Sequence, residues 1–326
     1  MAALDTYTGP FTLREASHLL RRTSFGGSQA DVEKAVADGL ETTMNNLFTD
    51  RVEVTPPVNP DNGLPWPDRG PGFDQTRAAP FYNATLRTWW IQRMIESPIN
   101  IHEKLTLFWH NHFATEWTIV ANPTMNYHMI NNLRATCLGD FKAMVRQVTI
   151  EPAMLRSLNG NTNTVGTPNE DYARELQELF SIGKGPVAGE GDYTYYTEQD
   201  VQEASRVLTG WRDNRIDWKT IFVERWHDTG DKQFSERYQN TVIRGRRGPD
   251  AGNEELDELI DMIFRQNRTA EFIVEQLFIW FVDNKITDEI RSDVIEPLAQ
   301  QLRDDNWIVE GVLRRLLSSE LFFDLE

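Results

Sequence analysis

Hydrophobic positions recur at helical spacing along most of this chain. Thr12, with Glu15 three residues on, reads as a capping box that opens a helix through His18, Leu19 and Leu20 to Gly26. Ser28 caps a second helix toward Gly39, and a third runs on to Phe48. Leu86, Trp89, Trp90, Ile91 and Met94 form a wide apolar face that Ser97-Pro98 ends. The stretch 101–114 is apolar around most of its circumference, which predicts a buried central helix. Pro123 starts a helix through Met129 and Leu133 to Gly139, and Phe141, Met144, Val145 and Val148 continue the pattern. Val201, Ala204, Ser205 and Leu208 mark another helix. The last ninety or so residues predict four more, on Leu256 to Phe264, Ile273 to Phe281, Val294 to Leu302 and Val312 to Leu317.

Two stretches break the helical period. Residues 51–76 are rich in proline and glycine and carry no periodicity, which suits a long connection acting as a lid or surface wrap. Trp218 to Trp226 is β-branched and aromatic, a strand signal that delivers His227 and Asp228 before a turn at Gly230. The expected fold is mostly α, a single compact multi-helix domain over 1–326 with ten to twelve helices and a small β-hairpin near 218–235. Within it, 1–50 hold N-terminal helices, 51–76 the connection and 77–326 the helical core.

The stretch Pro168 to Gly183 organises the rest. Asn169 can cap its first turn, Gly183 suits the C′ position, and Tyr172, Leu176, Leu179, Phe180 and Gly183 share one face. On a regular helix Glu175 borders that face and Glu178 points outward, while Arg174 lies four residues from both Glu170 and Glu178. Arg174 should therefore pair with a carboxylate of its own helix or of a neighbouring motif. Asp200 borders its own apolar face in the same way. His110 and His112 are two apart, about 200° around a helix, so they cannot share one ion. His112 is expected under about a tenth exposed and hydrogen-bonded within the protein.

The run Pro-Asn-Glu-Asp-Tyr-Ala-Arg-Glu-Leu-Gln-Glu-Leu-Phe from Pro168 resembles the central motif of the bacterial family called domain of unknown function 1800. Other runs follow in order: His-Leu-Leu-Arg-Arg-Thr-Ser-Phe-Gly from His18, Glu-Lys-Leu-Thr-Leu-Phe-Trp-His-Asn-His from Glu103, and Glu-Pro-Ala-Met-Leu from Glu151. Asp-Val-Gln-Glu-Ala-Ser-Arg from Asp200 and His-Asp-Thr-Gly-Asp-Lys from His227 complete the set. Asp171 stands where the family pattern usually has Asn, and Glu151 and Asn159 where it has Asp. The resemblance carries no activity. It implies a sulfatase-like protein partner, because members are often encoded beside such proteins, and export, because many relatives look exported. This chain shows no leader at Met1 and as written reads as cytoplasmic.

Composition narrows the chemistry. A net charge of −17 argues against nucleic acid and anionic membranes as main partners. No apolar run is long enough for membrane insertion. Cys137 is the sole cysteine, which excludes an intramolecular disulfide and suits a small core residue. Setting aside residues with structural explanations leaves His18, His110, Glu170, Glu175, Asp200, His227 and Asp228.

Three readings stand side by side. In a metal-assisted hydrolase or lyase, His18, His110, Glu170 and Asp228 would hold a divalent transition metal, and Glu175, Asp200 and His227 would do the chemistry. Arg174, Trp211 and Lys232 would bind substrate. In a metal-free enzyme acting on a polysaccharide, Glu175 and Asp200 would be the acid–base pair. In a non-catalytic helical scaffold, the same side chains would form a polar network that fixes helix packing. His227-Asp228 resembles the His-Asp phosphohydrolases superficially, but here the pair follows a strand. Both enzyme readings expect Glu175, Asp200 and His227 at one cleft.

Overall fold

The helix starts read at Thr12 and Ser28 carry their caps in the structure, a computed structural model that describes residues 3–49, 54–214 and 216–324. Thr12 with Glu15, Ser28 with Asp31 and Thr197 with Asp200 all form reciprocal capping boxes. The fold is mostly α. The described chain falls into two compact units: Met1–Asn111, Ile130–Phe141 and Val274–Glu326 in the first, His112–Met129 and Lys142–Ile273 in the second.

In the first unit, helix Leu13–Thr23 packs against Gln29–Leu47 through buried Leu19, Leu20 and Leu47. Gly39, at φ 79°, interrupts the second run as the sequence reading expects, since that backbone costs a residue with a Cβ about 1–2 kcal/mol. Of the connection expected over 51–76, residues 51–53 lie outside the described residues. The remainder is a wrap pinned by its own side chains. Trp66 is fully buried against Tyr82, Phe73 stacks on the same ring at 5.3 Å, and Asn59 donates to the Gly72 carbonyl. Trp89 on helix Ala79–Glu96 reaches out to the Thr55 carbonyl at 2.7 Å.

Helix His102–His112 is largely buried, as its pattern requires. It also brings a charge into the core. Glu103 accepts two bonds from Arg134, at 2.6 and 3.0 Å, with both side chains under a tenth exposed, and the guanidinium lies over Trp89. Cys137 is buried, as expected, and its carbonyl takes the Trp109 indole N–H.

In the second unit the central motif departs from a regular helix. Asp171–Glu175 is α-helical, but Leu176–Ser181 widens into a π-helical turn, closed by Gly183 at φ 79°. Bonds from residue i to i−5 shift the rotational phase, so a face read at 100° per residue no longer holds. Gln177 and Ser181 turn inward, almost fully buried, while Leu179, expected on the apolar face, stands half exposed. Gln177 spends both ends of its amide, donating to the Ala173 carbonyl and accepting from the Tyr238 hydroxyl.

The expected hairpin is present with different bounds. Strand β1 (Trp211–Asp213) pairs antiparallel with β2 (Thr220–Phe222), and β3 (Lys232–Gln233) pairs with β4 (Val242–Ile243). The stretch after β2 turns into a short 3₁₀ segment, Glu224–Trp226, rather than staying extended. Helix Ala251–Phe264 then supplies the apolar side formed by Leu256, Leu259, Ile260 and Ile263.

Removing Arg134 alone should cost about 3–5 kcal/mol, because it leaves a buried carboxylate unmatched. The double variant Glu103→Leu with Arg134→Met should cost clearly less, as read from urea unfolding midpoints. Gly183→Ala should lower the midpoint as well, since its backbone is left-handed and an added Cβ would meet the Phe272 ring at 2.6 Å.

Candidate functional site

The residues named for chemistry divide by unit, and most lie in the second. Helix Ala251–Phe264 holds Glu255 in the interior. Lys232, the first residue of β3, reaches its Oε2 at 2.5 Å, and the Arg246 backbone N–H reaches its Oε1 at 2.7 Å. His227 Nε2 lies 3.1 Å from the same Oε1, at ion-pair distance but without the alignment of a hydrogen bond. The side chains of His227, Lys232 and Glu255 are all 0% exposed. On its other edge, His227 Nδ1 faces the Thr209 carbonyl at 3.0 Å. The Thr209 hydroxyl donates to the Arg206 carbonyl and accepts from the Asp228 N–H, so Nδ1 carries a proton and donates it to the Thr209 carbonyl.

Glu255 is the residue that sequence reasoning missed. A signal exists, since it stands four residues before Leu259 and eight before Ile263, a carboxylate on an apolar face. Lys232, read as a substrate contact, is instead the counter-charge of this carboxylate and is closed to solvent. Trp211, read the same way, is 4% exposed and packs on Phe222 at 5.2 Å. A side chain buried to that degree cannot serve as a platform.

The neighbouring motif residues are equally occupied. Asp228 receives Arg206 through both oxygens and the Gly230 N–H. Burial works against its charge, but these partners outweigh it and hold the carboxyl below the usual range. Asp200 is fully buried. It closes the capping box on Thr197 and also takes the N–H and hydroxyl of Ser235 at 2.7 Å. Among the described residues, no hydrogen bond or ion pair joins Asp200, His227 and Glu175.

Arg174 makes the carboxylate pair expected of it, bonding Glu170 at 3.1 Å and Glu198 at 2.7 Å, all three about a third exposed. Glu178, four residues on, does not join them. Past the π turn it takes Lys184 and the Tyr196 hydroxyl instead. Glu175 differs from all of these. One of its oxygens is buried and has no hydrogen-bond partner, and burial, then the nearby Glu178 charge, pushes its carboxyl above the usual range.

Asn159 and Asp171, two departures from the resembled pattern, touch. The Asn159 amide donates to an Asp171 oxygen at 2.9 Å. Relative to the resembled pattern the amide and the carboxylate are exchanged, and in this chain the two bond each other. Asn159 adopts φ 57°, a left-handed conformation that Asn and Asp share, so the exchange also suits the backbone.

The four proposed metal donors do not form a set. His18 and His110 belong to the first unit, Glu170 and Asp228 to the second. Among the described residues no group of three or more His, Cys, Asp or Glu side chains could hold an ion. His110 lies edge-on to Trp90, and burial pulls its pKa down to about 4. His112 is more exposed than expected, though its Nε2 donates to the Phe180 carbonyl at 3.1 Å as foreseen. No described helix is long and apolar enough to cross a membrane.

A family model described as protein of unknown function, DUF1800, matches residues 18–326. No curated protein and no solved structure matches the chain.

Stability should fall as the pH drops from 6.5 toward 4. Burial lowers the folded pKa of His112 to about 4, whereas the unfolded chain takes its proton near 6.5. Between those values the unfolded state binds more protons, so acid favours it, and the contribution is fully present above the window. His112→Gln should flatten the dependence of the urea midpoint on pH, with His110 supplying a slope of the same sign.

Proposed function

The chain belongs to the DUF1800 family, whose members are described as proteins of unknown function, and we propose that it acts as a non-catalytic helical scaffold. One observation carries this reading: most of the motif side chains suited to catalysis are spent on bonds within the protein. Asp200 holds a helix start to Ser235, Asp228 holds Arg206, and His227 and Lys232 surround Glu255 in an interior closed to solvent. A substrate needs an open path and a polar group with capacity to spare. Buried polar networks of this kind instead fix one packing of the elements they join.

A second reading rests on Glu175 alone. Its unpartnered oxygen and raised pKa suit a general acid in a metal-free, carbohydrate-cleaving site, with Glu178 as the nearby carboxylate.

Stability separates the two. Groups kept for structure cost stability when removed, whereas groups kept for function are often poorly accommodated, and their removal stabilises. Asp200→Asn and His227→Gln should each lower stability by roughly 1–3 kcal/mol in urea unfolding. A midpoint equal to or above that of the parent for both variants would sink the scaffold reading. Glu175→Gln should match or exceed the parent. If the parent also releases reducing ends from soluble polysaccharides and Glu175→Gln does not, the acid–base reading replaces the scaffold.

A further inference from the structure

The first unit contains a cavity of about 540 Å³ that the scaffold reading does not use. His18 and Arg22, one turn apart on helix Leu13–Thr23, line one side, and Phe278, Val282 and Phe322 line another. His18 lies against the Phe322 ring at 4.6 Å and donates to the Phe322 carbonyl. Arg22 is half-buried and, among the described residues, bonds no carboxylate. Lys104 is in the same position. Its ammonium lies over the rings of Phe25 and Trp280, and burial, then the Arg22 charge, holds it below the usual lysine range. Two of the family-like runs, those from His18 and from Glu103, are therefore coupled electrostatically through these cations, with Arg22 on the cavity wall and Lys104 behind it.

This pairing is costly as it stands. The chain carries 50 acidic and 33 basic side chains, and elsewhere Arg134, Arg156, Arg174, Arg206 and Arg246 each hold a carboxylate. Two partly desolvated cations within electrostatic reach of each other, neither of them bonded to a carboxylate, disfavour the empty state. The carboxylates that line the cavity, Asp283 and Asp324, are exposed, and Asp283 is turned to the Lys285 backbone N–H. The volume falls in the range of small-molecule sites, with an apolar wall at Phe278, Val282 and Phe322 inside a lining that is otherwise mostly polar.

We infer that this cavity binds a small organic oxyanion, a carboxylate or a phosphate ester. Its charged head meets Arg22, and its apolar body lies along Phe278, Val282 and Phe322. The site stands in the first unit and does not depend on the scaffold reading of the second.

The test uses the full chain with inorganic phosphate, acetate and hexanoate, each compared with chloride at matched ionic strength. Phosphate and hexanoate should raise the urea midpoint, hexanoate more than acetate because of the apolar wall. Response to phosphate over acetate and hexanoate would assign a phosphate ester, and the reverse a carboxylate. Arg22→Met should weaken the response at least about tenfold, the usual worth of a charge-assisted bond. Lys104→Met should weaken it too. Without any probe, Lys104→Met should keep or raise the midpoint, because it relieves the like-charge contact, so its lost response cannot be misfolding. Midpoints no higher than in chloride would overturn the inference. So would parent-like responses in both variants, which would leave Arg22 as a cation favoured only by its place at a helix C-terminus.

Discussion

A carboxylate taken out of water has to be matched, and much of the second unit follows from how Glu255 meets that requirement. Its two oxygens collect an ammonium, a backbone N–H and the edge of an imidazole from three separate segments. Each partner constrains the path of its own segment. Lys232 starts β3, Arg246 follows β4, and His227 ends the 3₁₀ segment after β2. The short strands have few ladder bonds with which to position themselves, so charge matching supplies the register that a larger sheet would otherwise provide. Breaking one partner leaves a buried charge, which is why such clusters are strongly all-or-none.

The first unit repeats the principle with Glu103 and Arg134, a two-toothed pair under Trp89. These pairs differ in kind from the exposed ones. The Arg174 network on Glu170 and Glu198 is about a third exposed, where water and salt screen it and its worth is small. Family-like motifs thus hold both sorts of charge, and spacing in the sequence does not tell them apart.

The π turn at Leu176–Ser181 shows how one irregularity redistributes roles. It brings Gln177 inward to Tyr238, releases Leu179 to solvent and sends Glu178 to Lys184 and Tyr196 rather than to Arg174. It also follows directly on Glu175, the one motif carboxylate with a buried oxygen left unpartnered. A widened turn gives up regular hydrogen bonding, and proteins tend to keep such turns where a side chain must be aimed.

What the sequence alone settled is local in its physics. The caps at Thr12 and Ser28, the break at Gly39, the close at Gly183 and the burial of Cys137 each follow from a few adjacent residues. The mostly helical class follows from a period that survives any arrangement of the helices. The failures are non-local. Trp211 and Lys232 looked available because composition says nothing about what covers them, and Glu255 went unread because its partners lie 9 to 28 residues away in sequence. Only the tertiary structure assigned donors to acceptors, since that choice depends on which segments meet. Nor could periodicity foresee the π turn, because the residues that favour it, Gln177 and Tyr238, find each other only after the chain has folded.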